Sequence, residues 1–502
     1  MIKMLNEIYS KKKRKILFLL SIFLIVTLAI SMLETVNAKD ITIGPNTPGG
    51  LKKAIETAEN GSTIFLKNGV YSGKNNTYLH INKSINIHGL GSKAVLDGEG
   101  KNQIIKINKK NMKVLLKNLN FRNGKAYKNS ADINVHGGGA ICLTNGSLII
   151  YNCTFTKNQA ATHGGAISSF CGELTIIKST FTKNQAGTAG GAISSREYDR
   201  YGAEKDLRDN FKGRLNVSQS TFTKNKATLL GGAIDTDIDF GTVSDCTFTE
   251  NQALGGGAIG INDGVGTIST STFTKNKATG TGGAIYSFFG NLTVIKSIFI
   301  KNQASDSGGA IVNPRTVNGC TFTENQAEYD GGAIYTILSP GSVSDCIFTK
   351  NKAKISGGAI HVSNTFKITN TKFKNNIAAN KYNAIAGKVN KLTKKDVLIS
   401  PKDGTTLKPD LTISKISKKI NTHTIFIKNI GMATSGKSVL GVYQGNKLIK
   451  IANVKAIGAG KTVQVKVTLD RKFSSRIKTF RADATNKIKE SNKNNNIMRA
   501  RW

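Results

Sequence analysis

The 502 residues predict an all-β chain, a parallel β-helix solenoid followed by a small β-sandwich. Three observations carry that prediction. Gly-Gly-Ala-Ile occurs nine times, its isoleucine falling at Ile141, Ile167, Ile193, Ile234, Ile259, Ile285, Ile311, Ile334 and Ile360, with steps of 26, 26, 41, 25, 26, 26, 23 and 26 residues. Phe-x-x-Asn-x-Ala keeps the same period, from Phe155, Asn158 and Ala160 to Phe373, Asn376 and Ala378. After residue 408 the repeat gives way to runs of alternating β-branched and polar residues. Two motifs locked at one period mark stacked units that bury a continuous core between neighbours.

In chain order, residues 1–38 read as a targeting segment. Lys11, Lys12, Lys13, Arg14 and Lys15 precede an apolar run from Ile16 to Leu33, and Val36-Asn37-Ala38 fits a small-x-small cleavage site. The expectation is export to the cell surface or medium, with no membrane span left after cleavage. An uncleaved N-terminal anchor is the alternative, since the run is just long enough to cross a bilayer. Residues 39–136 read as a cap and the first turns. Leu51 to Asn60 has helical spacing and is followed by Gly61, and short β-branched runs broken by glycine come next. A cap is needed because an open solenoid end exposes unpaired strand backbone.

Residues 137–387 hold the repeats. About 26 residues rich in Thr, Ile, Val and Phe are too few for a helix pair carrying these glycines, and suit two or three short strands per turn. Gly-Gly would turn the chain, Ile and Phe would fill the interior, and the asparagines would stack turn over turn as an amide ladder. Nine turns at about 4.8 Å each give a rod of roughly 40 Å. Between Ile193 and Ile234 about fifteen extra residues appear, including Arg196, Tyr198, Arg200, Tyr201 and Arg208. Insertions in solenoids map to surface loops, so this one is the expected ligand-binding loop. Residues 388–408, rich in lysine, proline and glycine, read as a linker, and 409–502 carry six or seven short strands, a sandwich.

Charge and cysteine narrow the function. The chain carries +40, and residues 1–38 contribute six basic and two acidic groups, so the remainder holds +36. Such an excess favours an anionic wall polymer or glycan, or a surface protein, and the attraction would weaken with salt. No aromatic stacking platform interleaves the lysines, and nucleic acid is not an expected partner. Of the six cysteines, Cys153, Cys246, Cys320 and Cys346 sit two residues before the repeat phenylalanine, where other copies place Ser179, Ser220, Ser271, Ser297 or Thr371. They read as small packed residues with free thiols. Cys142 and Cys171 lack that register.

The paired motifs over residues 137–378 resemble the repeats of polymorphic membrane proteins and of archaeal and bacterial adhesin-like proteins, which implies a right-handed parallel β-helix. The stretch from Leu51 to Tyr127, with Leu96-Asp-Gly-Glu-Gly100 and Leu116-Lys-Asn-Leu-Asn-Phe-Arg-Asn-Gly124, is similar to the opening turns of pectate-lyase-like β-helices. The tail resembles the CARDB domain, a cell-adhesion-related Ig-like sandwich, through Pro409-Asp-Leu-Thr412, Asn429-Ile-Gly431, Gly458-Ala-Gly-Lys-Thr462, Asn486-Lys-Ile-Lys-Glu-Ser491 and Asn494-Asn-Asn496.

Enzymatic use of such a fold on acidic polysaccharide would need carboxylates gathered on one face, or calcium with a nearby base. One run qualifies for inspection, Asp235-Thr-Asp237-Ile-Asp239, because alternate residues of a strand share a side. It is a candidate calcium site. It is not an EF-hand loop, since its sixth position is Phe240 and its twelfth Cys246. His136 and His163 precede Gly-Gly turns and read as turn residues. The expectation is thus a non-enzymatic adhesin-like surface protein with no catalytic residues and no cofactor beyond that calcium; the alternative is a lyase or hydrolase of acidic glycans.

Overall fold

The computed structural model describes residues 39–127, 137–196, 213–338, 341–379, 384–389, 397–399 and 409–501, the last apart from 431–433, 459, 471–476, 489 and 491. The targeting segment, His136 and the insertion beyond Arg196 lie outside the described residues. Two compact units meet in sequence between Lys226 and Ala227. Among the described residues no helix is long and apolar enough to cross a membrane.

The first unit is a parallel solenoid with one helix at its start. Gly50–Thr57 buries Leu51, Ala54 and Ile55, and the Leu51 N–H reaches Asn76 Oδ1 at 2.9 Å. This is the expected cap helix. The glycine-broken runs that follow are turns of the same winding: Ile41–Ile43, Thr63–Leu66, Asn86–Gly89, Lys113–Lys117 and Ser147–Tyr151 pair in succession, all in parallel. From Ile105 to Ala353 each turn has four strands rather than two or three. In the turn that opens with Ile141 they are Ile141–Thr144, Ser147–Tyr151, Thr154–Thr156 and Gln159–Ala160. Identical positions pair from turn to turn, so Ile141 faces Ile167 and Phe155 faces Phe181.

The second unit repeats the winding from Ile234 onward and ends in the sandwich. The parallel pairing runs past the expected end of the repeats, since Val397–Ile399 pairs with Thr371–Phe373. Part of the lysine-rich stretch after 387 therefore completes a turn. The sandwich sets Leu411–Lys419, Thr422–Asn429 and Thr462–Thr468 in one antiparallel sheet. Lys447–Val454, Ser438–Gln444, Lys478–Arg481 and Ile497–Ala500 form the other. Leu411, Ile425, Ile427, Leu440, Val442 and Phe480 are at its core. Its signature residues hold the chain end down. The Asp410 N–H donates to Asn429 Oδ1 at 3.0 Å, Asn495 Nδ2 to Asp410 Oδ1 at 2.7 Å, and Leu411 N–H and Asn496 Nδ2 each to Glu490 at 2.6 Å. Burial holds the Glu490 carboxyl above its ordinary range.

The repeat motifs explain the stack. In Gly282-Gly283 the first glycine has φ +69°, in the left-handed region, and a Cβ on the second would sit 2.1 Å from the Gly309 carbonyl oxygen of the next turn. One glycine is there for its conformation and the other for close approach. Ile and Phe fill the interior as expected. The rings of Phe248, Phe273, Phe299 and Phe322 stack at 4.7 to 4.8 Å, within 6° of parallel.

The amide ladder is complete at each described step. Asn302 donates from its N–H and Nδ2 to Asn325 Oδ1 at 3.0 and 2.9 Å, and from Nδ2 to the Phe273 carbonyl at 2.9 Å. Its own Oδ1 accepts from the N–H and Nδ2 of Asn276, both at 3.0 Å. The ladder begins where the first Phe-x-x-x copy has Gly124 in place of asparagine, and the Gly124 N–H donates to Asn158 Oδ1 at 2.8 Å. A second ladder runs through the serine and cysteine column. Ser271 N–H donates to Ser297 Oγ at 3.2 Å, Ser297 N–H to Cys320 Sγ at 3.4 Å and Cys320 N–H to Cys346 Sγ at 3.3 Å. None of the six cysteines is in a disulfide, five of them are buried, and burial pushes the Cys153 thiol up to about 12.

Candidate ligand-binding face of the solenoid

The structure separates the sequence-predicted site residues. The strand that should have presented the three aspartates on one side spans only Ile234–Thr236. Asp235 is fully buried within it, while Asp237 and Asp239 lie in the bend before the next strand, and Asp239 Oδ1 accepts the Val265 N–H at 2.7 Å. Alternation stops where the strand stops. No group of three or more His, Cys, Asp or Glu suited to a metal ion occurs among the described residues. Of the expected loop, Arg196 ends the strand Ile193–Arg196, with Nη1 2.7 Å from His163 Nε2; Tyr198, Arg200, Tyr201 and Arg208 are outside the described residues. His163 bridges Gly137 and Ala189, a turn position as expected.

A different part of the chain stands out. Residues 227–349 hold eleven carboxylates against five basic side chains, a balance of −6, so the rest of the +40 chain carries +46. The same stretch carries exposed apolar side chains. Leu229, Leu254 and Tyr329 lie on the corner ahead of the Gly-Gly pair, and Phe288, Phe289, Ile337 and Leu338 on the corner after the isoleucine strand. Between these corners, the position after the strand's isoleucine places Tyr286, Val312, Tyr335 and His361 in register, with Val312 buried and the other three partly exposed.

Aromatic rings cluster on this face. Tyr286 stacks near Phe288 with centroids 6.2 Å apart, and Phe288 tilts against Phe289 at 4.1 Å. Phe289 is 65% exposed, and Phe288 41%, although nothing in a self-contained fold favours two neighbouring phenylalanines in water. Tyr335 meets His361 with centroids 5.4 Å apart. Polar groups adjoin the rings. Asp330 Oδ1 accepts from Ser356 Oγ at 2.6 Å and faces His361 Nδ1 at 3.3 Å, and that nitrogen is 2.9 Å from Ser356 Oγ. Asp306 Oδ1 accepts from Ser307 Oγ at 2.9 Å. Burial first, then the charges of Asp330 and Asp306, holds the Tyr335 phenol above its ordinary range. Sequence reading missed this face because net charge was summed over the whole chain; the same residues summed by segment give it away.

Family models match both parts of the chain. The Chlamydia polymorphic membrane protein repeat matches residues 152–169, 178–196, 219–237, 270–287, 296–314, 319–337 and 345–363. CARDB matches residues 408–500. No curated protein matches the sequence. Among solved structures, the catalytic unit of a thermostable GH87 alpha-1,3-glucanase from Streptomyces thermodiastaticus is 12% identical, with a TM-score of 0.39, covering 72% of this chain and 66% of its own. A variant tailspike protein of E. coli bacteriophage HK620, in complex with a pentasaccharide, is 12% identical with a TM-score of 0.26, covering 85% of this chain and 90% of its own. The chain thus joins seven copies of the Chlamydia polymorphic membrane protein repeat to a C-terminal CARDB domain.

Proposed function

We propose that this chain is an exported, surface-held adhesin-like protein that binds glycan along its solenoid without cleaving it. The observation that carries the reading is the exposed cluster of Tyr286, Phe288 and Phe289, on a solenoid face that also bears Asp306 and Asp330. Sugar rings have apolar C–H faces that pack on aromatic rings, and their hydroxyls donate to carboxylates; a repeating scaffold offers such contacts in a row. The tandem of polymorphic membrane protein repeats and CARDB supports a surface role. The excess of +46 outside residues 227–349 supports retention on an anionic wall polymer, which high salt would release.

A second reading, hydrolysis of glycan, is favoured by the contact of Asp330 with Ser356 and His361 beside Asp306. Incubation of the purified full chain with soluble polysaccharides separates the two. The expected result is retention of the protein on a glycan matrix with no new reducing ends and no ultraviolet-absorbing unsaturated product. Turnover that disappears in Asp306→Asn and Asp330→Asn variants would replace the adhesin with an enzyme.

A further inference from the structure

We infer that the face between Leu229 and Leu338 selects a glycan without acidic groups, and that Phe288 and Phe289 are its stacking platform while Asp306 and Asp330 accept its hydroxyls. The inference rests on the glycan-binding reading above and narrows the ligand class.

Charge decides the class. The long-range field of a chain with +40 invites an anionic polymer, yet an anion lying on this face would meet carboxylates from both corners. Asp239 and Asp263 follow the isoleucine strands on one side; Asp306, Glu328 and Asp330 precede the Gly-Gly turns on the other. Arg315 is the basic residue on the face, and the nearby Lys354 is engaged by Glu328. Bringing a uronate or phosphate polymer here places like charges in close contact, which selects against it. A neutral or amino sugar meets no such penalty, and its hydroxyls or ammonium find acceptors.

Geometry supports the same assignment. Successive turns are separated by about 4.8 Å, so aromatic positions two turns apart, Tyr286 and Tyr335, lie about 10 Å from each other along the winding. That separation suits a chain of sugars laid across consecutive turns. Phe288 and Phe289 are both exposed, Phe289 over most of its surface, at one end of this row, and hydroxyl and carboxylate groups of Asp306, Asp330 and Ser356 border the other. An apolar peptide would use the rings and bring no hydroxyl to the carboxylates; a glycan uses both.

Titration calorimetry of the purified full chain tests the assignment with three probe sets: neutral oligosaccharides of glucose and N-acetylglucosamine, de-acetylated glucosamine oligomers, and oligomers of galacturonate or guluronate. Binding within the first or second set is expected, and which set binds tells a neutral sugar from an amine-bearing one. Neutral-sugar binding should be unchanged between low and high salt; amino-sugar binding should weaken in salt. The Phe288→Ala, Phe289→Ala double variant is expected to lose about tenfold or more in affinity, as is Asp306→Asn with Asp330→Asn. All four side chains are partly or fully solvent-facing, so unchanged melting curves show that the fold survives. Binding confined to the uronate set, and abolished by salt, overturns the inference and leaves a glycan-binding adhesin. Binding of neutral or amino sugars that neither double variant weakens overturns the assignment of the face. No binding in any set overturns both this inference and the glycan reading.

Discussion

Removing one asparagine from the middle of the amide ladder should cost more than any surface change on the solenoid. Asn302→Ala leaves the buried Asn276 N–H without its partner, and takes the Nδ2 donor from the Phe273 carbonyl, one of two acceptors from Asn276 Nδ2 and one of two donors from Asn325 Oδ1. At about 1–3 kcal/mol for a buried group left unsatisfied, the orphaned N–H alone gives about 1–3 kcal/mol, to which the weakened partners and the small cavity add. Asn302→Asp separates hydrogen bonding from volume. The carboxylate still accepts from Asn276 but turns a second oxygen toward the Phe273 carbonyl and Asn325 Oδ1, where the amide donated. Its folded-state pKa is therefore raised, so the variant should be weakest at neutral pH and recover as pH falls and the carboxyl gains a proton. Urea unfolding at pH 7 and pH 4, with hydrogen exchange resolving turns 273–325 in case they open locally, measures both effects. An alanine loss below 1 kcal/mol, or an aspartate variant as stable as wild type at pH 7, would refute the ladder as a stabilising element.

Two further outcomes follow from single residues. Thr270 is an exposed β-branched residue at φ +47°, in a corner column where other turns place Asn152, Asn370 and Gly319; Thr270→Asn should raise stability by about 1 kcal/mol in thermal unfolding, since asparagine tolerates the left-handed region. His88 is held down to about 4 by burial and the Lys117 charge, below its ordinary 6.5. A depressed histidine pKa means the neutral form is the one that folds, so its contribution is whole above about pH 6.5 and is lost as pH falls toward 4. The shift corresponds to roughly 3 kcal/mol at most, and His88→Gln should flatten that part of the pH–stability curve; a variant with the wild-type acid slope would show that another group drives it.

The fold was legible because the repeat exposes its own interior. A position that is isoleucine or phenylalanine in every turn must face inward, and a glycine pair recurring ahead of it must turn the chain. The number of strands per turn was not legible, because Gln-Ala and Lys-Ala, the two-residue fourth strands, carry no strand signature. Nor were the corners. Lys157, Lys183, Lys224, Lys275 and Lys301 sit at φ between +53° and +55°, each just ahead of a ladder asparagine, where sequence rules would ask for glycine or asparagine. The asparagine ladder fixes the chain on the far side of the corner and offsets the strain of a lysine there. The aspartate run misled for the opposite reason. Alternation predicts a shared side only while a strand lasts, and this strand gives way to a bend after Thr236.

The same logic explains why the candidate face had to be found in the structure. Inward columns are nearly constant from turn to turn, because each residue must match its copy above and below. The position beside the isoleucine varies instead, and along the chain it reads Cys142, Ser168, Ser194, Asp235, Gly260, Tyr286, Val312, Tyr335 and His361, of which Tyr286, Tyr335 and His361 are partly exposed and the others buried. A motif search discards that column as noise. Yet in a solenoid such a variable column is where one turn can differ chemically from the next at little cost to the stack. Concentration of tyrosine, phenylalanine and carboxylate in a few consecutive turns is therefore a departure from the repeat that stability does not require. The proposed binding would supply a reason for exposing such groups together, and the variants at Phe288, Phe289, Asp306 and Asp330 act on that departure while leaving the repeat intact.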